Sequence, residues 1–309
     1  ADGALPEAAD GGQIDRSSAF GDPLIRAEDV SYEYAADEVA IDGVDFSVRE
    51  GEVHAVVGSN GAGKTTFSKL LSGLFKPTEG TVYVDGEPTD GRTAREIAES
   101  VGLALQNPDE QISEQTVARE LQFPLERRQY ERTGFLGLSK RERFDDGFVE
   151  SRSREVRDLV GLPKTAVDED PMFLPRGQRR QVTIASALAP DPDALILDEP
   201  AAGLDASARA DIVATVDRLR ERGKGIVIID HDMDFVCSVA DTVTVLDDGT
   251  VAMQGPTEDV FAPDNWEWLA SRHLRPPRAA RVADRVGLDA LTAEEFVSGL
   301  SGLSVEVSG

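Results

Sequence analysis

The stretch "GSNGAGKT", residues 58–65, carries the most readily named chemistry in the chain. Gly58, Ser59, Asn60, Gly61, Ala62, Gly63, Lys64 and Thr65 satisfy the spacing G-x-x-x-x-G-K-[ST], whose small residues let backbone N–H groups converge on phosphate oxygens. The lysine of such a loop reaches the β- and γ-phosphates, and the hydroxyl at Thr65 binds Mg²⁺. Thr66 continues the same phosphate-binding stretch. A second group lies far downstream in "ALILDEP", residues 194–200, where an apolar run ends in Asp198 and then Glu199. An aspartate at a strand end opposite a phosphate loop can hold Mg²⁺ through water. The next carboxylate can polarise an attacking water. Alone, "LDEP" reads equally as a strand end and a turn. After a phosphate loop, the chemical reading prevails.

These groups need elements to hold them. "EVHAVVG" is a buried-strand run that feeds the loop directly, and "TFSKLLSGLF" after it is helical. Leu24 to Val48 alternates as short strands, and "GTVYVDG" and "VGLAL" are further strands. From about Thr116 to Gly161 the chain reads as helical and heavily charged, without the sustained heptads of a coiled coil. Strands and helices then alternate: helix 177–189, strand "ALILD", helix 206–222, strand "GIVIID", helix 232–240 and strand "TVTVL". That order implies a parallel sheet with helices on both faces. Residues 1–22, small, acidic and Gly-rich, read as a disordered lead. After about Ala262 come two short helical patterns.

Four further pieces are dull in isolation. Gln106 in "QNPDEQ" is a polar loop residue, His231 in "DHDM" a strand-end histidine, Tyr34 a core aromatic, and "AGLD", ending at Asp205, a turn. In their order and spacing, with the phosphate loop and "ALILDEP", they resemble the ATP-binding cassette ATPases of ABC transporters, from about Leu24 to Phe261. The resemblance implies a P-loop NTPase of α/β class: a RecA-like parallel-sheet core, an N-terminal antiparallel β subdomain, and an inserted α-helical subdomain at about 112–185. The cassette would span 23–261 and a helical extension 262–309. It further implies ATP and Mg²⁺ as cofactors, Gln106 touching Mg²⁺ and the attacking water, His231 at the γ-phosphate and Tyr34 on the adenine. Asp205 would communicate across a dimer. "QNPDEQ", "DHDMDFV" and the tail look like the energy-coupling-factor and cobalt-type branch, importers of a vitamin or of cobalt or nickel ions. In that branch two ATPases sit beneath a membrane scaffold joined to a substrate-binding membrane subunit. A soluble cassette ATPase that remodels a non-membrane partner, such as an iron–sulfur assembly complex, is the alternative.

One segment departs from that family. "LPRGQ", Leu174, Pro175, Arg176, Gly177 and Gln178, stands where L-S-G-G-Q usually begins a helix and binds the γ-phosphate held by the other subunit. Pro175 removes a hydroxyl and an N–H, although proline suits a first helical turn. One hydrogen bond to phosphate is worth about 1.5–3 kcal/mol, and the Arg176 guanidinium offers a substitute donor. The expectation is one weakened site built with this signature, one complete site at the chain's own phosphate loop, and therefore a heterodimer rather than a homodimer.

Composition bounds the partners. A net charge of −26, from 58 acidic against 32 basic residues, opposes nucleic acid and suits a high-salt cytoplasm. The single cysteine, Cys237, excludes an internal disulfide, and three scattered histidines give no zinc spacing. The N-terminal stretch has no basic start and no apolar core, so no secretory signal is expected. Apolar runs are too short to span a bilayer, so the expected place is peripheral, at the cytoplasmic face of the membrane.

Overall fold

The computed structural model describes residues 20–34, 38–128, 130–131, 140–141 and 145–306. Most of the acidic lead expected to be disordered, residues 1–19, lies outside them. The chain begins β1 (Pro23–Glu33), β2 (Val39–Arg49), β3 (Val53–Gly58), α1 (Lys64–Leu71), β4 (Glu79–Val84), β5 (Glu87–Pro88), α2 (Ala94–Ile97) and β6 (Val101–Ala104). Next are α3 (Pro108–Gln111), α4 (Val117–Arg128), β7 (Tyr130–Glu131), β8 (Lys140–Arg141), α5 (Asp146–Leu159) and α6 (Arg176–Leu188). An alternating run follows: β9 (Ala194–Asp198), α7 (Ala206–Glu221), β10 (Gly225–Ile229), α8 (Met233–Val239) and β11 (Thr242–Asp247). β12 (Thr250–Pro256), α9 (Thr257–Val260), α10 (Trp266–Ser271), α11 (Arg278–Arg285) and α12 (Ala293–Glu306) complete it.

The larger sheet has the order β12-β11-β3-β10-β9-β6, parallel except for β12 at one edge. Its central strands are buried on both faces, which is why "ALILD" and "GIVII" are apolar throughout instead of alternating. Leu195 and Leu197 of β9 face one core, and Ala194 and Ile196 the other. In the second core, Phe67, Leu70 and Leu71 of α1 join Ile25, Val30 and Val82 of the antiparallel sheet β2-β1-β4-β5. In the first, Leu121, Val156, Val182, Ile212 and Phe235 bring α4 to α8 onto the parallel sheet. Each such side chain, fully buried, contributes about 1.5–3 kcal/mol before the entropy of ordering is set against it.

The parallel α/β core, the antiparallel sheet and the intervening helices agree with the expected fold class. One expectation is corrected. Within the stretch read as helical from Thr116 to Gly161, Tyr130–Glu131 pairs antiparallel with Lys140–Arg141. Gly134 and Gly137 lie between those runs, and each lowers helix propensity by about 1 kcal/mol. For function, the chief consequence of the topology lies at the carboxyl edge of the parallel strands. The phosphate loop leaves β3, His231 follows β10, Glu199 follows β9 and Gln106 follows β6, so four distant stretches converge there.

Candidate active site

The phosphate loop turns through Gly61 and Gly63, at φ 88° and 95°, into α1. A Cβ at Gly63 would sit 2.4 Å from the Ala40 carbonyl oxygen, in a backbone region that L residues rarely adopt. As the residue capping α1, Gly63 offers no side-chain acceptor, which leaves first-turn N–H groups to an anion. Ala62 is buried under the loop, Ser59 is half-buried, and Asn60, Gly61 and Thr65 are exposed. The Lys64 ammonium donates to the carbonyls of Gly58 and Ser59 at 2.9 and 2.8 Å. Burial holds it below its ordinary pKa, while the carboxylates of Glu199, Asp198 and Asp230 oppose that shift.

Tyr34 is 49% exposed, so it is not a core aromatic. Its hydroxyl bonds the Thr66 hydroxyl at 2.8 Å, and its ring stands edge-on to Tyr32 and Phe75 at 5.2 and 5.9 Å. An open aromatic face is thereby anchored beside the phosphate loop.

Glu199 adopts a left-handed backbone at φ 44°, with its N–H donating to the Ile229 carbonyl at 2.7 Å. Such backbone strain is held in place by its surroundings. Gln106 Nε2 donates to Glu199 Oε2 at 2.7 Å, and His231 Nδ1 lies 3.0 Å from Oε1. Three residues separated in sequence thus meet at one carboxylate. Beside it Asp198 is buried, and burial with the Glu199 charge pushes its carboxyl up to about 6, against Arg180 and Lys64. The Thr65 hydroxyl, Asp198 carboxylate and Gln106 amide oxygen are hard donors of the kind Mg²⁺ takes. Among the described residues no set of three or more His, Cys, Asp or Glu forms a metal cage.

Two residues of this neighbourhood escaped sequence reasoning. Asp230, 1% exposed, accepts at Oδ1 from the N–H groups of His231 and Asp232 at 2.7 and 2.9 Å. Burial pushes its carboxyl up to about 6. Its signal in the sequence is the first aspartate of "DHD". Arg180, 2% exposed, donates to the carbonyls of Leu105 and Gln106, and to that of Glu199 at 3.3 Å. No local pattern marks it, since its neighbours in α6 are Arg179 and Gln181.

Leu174–Gln178 lies apart from this cluster. Pro175 caps α6 at φ −52° and ψ 148° with no side-chain bond, and Leu174 is buried. The Arg176 guanidinium lies over Gly203, where a Cβ would fall 2.6 Å from Nη1. Asp205 caps α7 by accepting from the Ala208 N–H at 2.9 Å. Pro175, Arg176, Gly177, Gln178, Gly203 and Asp205 share a cavity of about 590 Å³, and no residue of the phosphate loop lines it.

The family described as ABC transporter matches residues 41–202. A protein of Caldanaerobacter subterraneus described as an ABC transporter ATP-binding protein is 38% identical over 92% of this chain, which spans 47% of that relative's length. An energy-coupling factor transporter ATP-binding protein, EcfA of Methanoculleus marisnigri, is 38% identical over 77% of this chain and 81% of its own. The solved structure of cbiO1 from Clostridium perfringens, part of the ABC transporter complex cbiONQ, superposes with a TM-score of 0.70 at 28% identity. It covers 85% of this chain and 99% of that one. A phosphate loop, a strand-end Asp–Glu pair and their glutamine and histidine at adjoining strand ends, together with these relatives, place the chain in the ABC transporter ATPase family.

Proposed function

We propose that this chain is an ATP-hydrolysing subunit of an energy-coupling-factor type importer of a vitamin or of cobalt or nickel ions. The observation that carries the reading is the Glu199 carboxylate held between Gln106 and His231, beside Lys64. In this reading Lys64 and the α1 N-terminus bind the phosphates, and Tyr34 offers its ring to the adenine. Glu199 accepts the proton of the attacking water, while Gln106 and His231 fix its two oxygens. Bound Mg²⁺, held by Thr65, Gln106 and Asp198, would neutralise phosphate charge. Lys64→Ala and Glu199→Gln are each expected to lower Mg-ATP hydrolysis at least a hundredfold, with Glu199→Gln retaining ATP. Retained turnover in Glu199→Gln would remove the glutamate from its assigned role.

The separation of Leu174–Gln178 from the phosphate loop supports a head-to-tail pair, in which each signature serves the partner's nucleotide. Pro175 and Arg176 favour a heterodimer with a second cassette ATPase, seated peripherally beneath a transmembrane scaffold and a substrate-binding membrane subunit. Among the described residues no helix is long and apolar enough to cross a membrane, so the membrane-spanning part would come from those partners. Hydrolysis by the chain alone in molar potassium chloride, compared with Pro175→Ser plus Arg176→Gly, tests the point. A rise of about tenfold, the scale of one restored hydrogen bond to phosphate, fits a limiting signature and a second ATPase as the natural partner. Brisk turnover of the unaltered chain, with no gain on restoration, would fit a homodimer instead.

A further inference from the structure

Asp230 follows β10, the strand between the phosphate-loop strand β3 and the Asp198 strand β9. Ile229 is in register with Val56 on one side and Asp198 on the other, so Asp230 emerges at the same edge as Glu199. One oxygen is accounted for by the turn that carries His231, through the N–H groups of His231 and Asp232 at 2.7 and 2.9 Å. The other, Oδ2, is buried and has no hydrogen-bond partner. Capping that turn needs a single acceptor, which asparagine or serine supplies without a buried charge. The bare oxygen therefore calls for another explanation. Its surroundings provide one: Asp230 exerts its charge on Lys64 and Arg180 and feels that of Glu199. Asp198 and Glu199 act on the same two cations, so the charges of three carboxylates bear on Lys64 and Arg180.

We propose that Asp230 is a metal-positioning residue of the nucleotide site, its free Oδ2 accepting a hydrogen bond from a water carried by Mg²⁺. This rests on the reading that Thr65, Gln106 and Asp198 hold the ion. Asp230 acts through water and is not itself a direct ligand. The ion offsets its buried charge, and the water supplies the missing donor. Through Oδ1 the same carboxylate fixes the turn of His231, so the hydration of the metal and the placing of the histidine depend on one side chain.

The test is Mn²⁺ titration of the full chain loaded with ADP, followed by the paramagnetic signal of free Mn²⁺. Asp230→Asn keeps Oδ1 for the two N–H groups and removes the charge and the second acceptor. Mn²⁺ affinity is expected to fall about tenfold, the scale of one hydrogen bond to a charged group. ADP affinity in EDTA and the melting temperature should not fall. Unchanged Mn²⁺ affinity overturns the proposal. Equal losses in Mn²⁺ affinity and in metal-free ADP affinity overturn it too, because the residue would then only shape the turn. Asp230→Ser, which retains a short acceptor, is judged by the same criteria should the asparagine variant not fold. Asp198→Asn separates the underlying reading: if it binds Mn²⁺ as tightly as the unaltered chain, Asp198 does not hold the ion and the proposal fails with it. If Asp198→Asn loses Mn²⁺ and Asp230→Asn does not, only the proposal fails.

Discussion

Glu199 has both carboxylate oxygens occupied, so the residues around it set its direction more than its charge. Arg180 works one step further out. Its guanidinium meets the carbonyls of Leu105, Gln106 and Glu199, so the backbones of two residues proposed as catalytic hang on a third that bonds only to backbone. Arg180→Met fills similar volume and leaves those carbonyls short of a donor. It is expected to destabilise the chain by about 2–4 kcal/mol. Turnover should fall more than the affinity for ATP, because the phosphate loop is intact. Urea unfolding together with kcat and KM checks both, and loss of ATP affinity alone would place Arg180 elsewhere in the scheme. Lys64, Asp198 and Glu199 were legible in the sequence because each stands in a short local pattern whose spacing is itself the chemistry. Arg180 was not, since its partner Leu105 lies 75 positions away and a backbone carbonyl leaves no mark on the residue types.

At the scale of elements, His54 on β3 joins three strands. Its Nδ1 donates to the Ser47 carbonyl of β2 at 2.8 Å, and its Nε2 accepts from the Thr244 hydroxyl of β11 at 2.8 Å. Burial pulls its pKa down to about 4, so the folded chain holds it neutral. An unfolded histidine gains its proton near 6.5. Between those values the unfolded state binds the extra proton, so stability falls as pH drops from 6.5 towards 4 and is fully present above 6.5. The loss is on the order of 3 kcal/mol. His54→Gln is expected to be less stable at pH 7.5 but to lose about 2–3 kcal/mol less on acidification to pH 4.5, as read from urea midpoints. Equal slopes for both proteins would dismiss the buried neutral histidine as a source of acid lability. The strands that carry the site were readable because burial on both faces writes a continuous apolar run. β12 was not: "TVAMQGP" is an edge strand with no buried residue, and its pairing comes from the turn at Asp248 and Gly249, at φ 45° and 80°. The β7–β8 pair was hidden among charged residues that read equally well as helix.

At the scale of the whole molecule, a net charge of −26 sets like charges against one another over the entire surface. Salt screens that repulsion over distances of about 8 Å at 0.15 M and about 3 Å at 1 M. Raising potassium chloride from 0.15 to 2 M is expected to lift the melting temperature by about 5 °C or more. A flat response would mean that the acidic coat costs the fold nothing and is no adaptation to salt. Association of two such chains should depend on salt in the same direction, since each brings the same sign of charge to the interface. The helix α6 acquires a particular meaning here. It starts at Pro175 and Arg176 in the cavity they share with Gly203 and Asp205 and, through Arg180, holds the backbones of Gln106 and Glu199. In a head-to-tail pair its first two turns would answer to two different nucleotides. Linkage then imposes a symmetry on the free energies that the sequences of the two partners need not share. Whatever factor the partner's ATP adds to the affinity of this chain for its own, this chain's ATP must return to the partner unchanged.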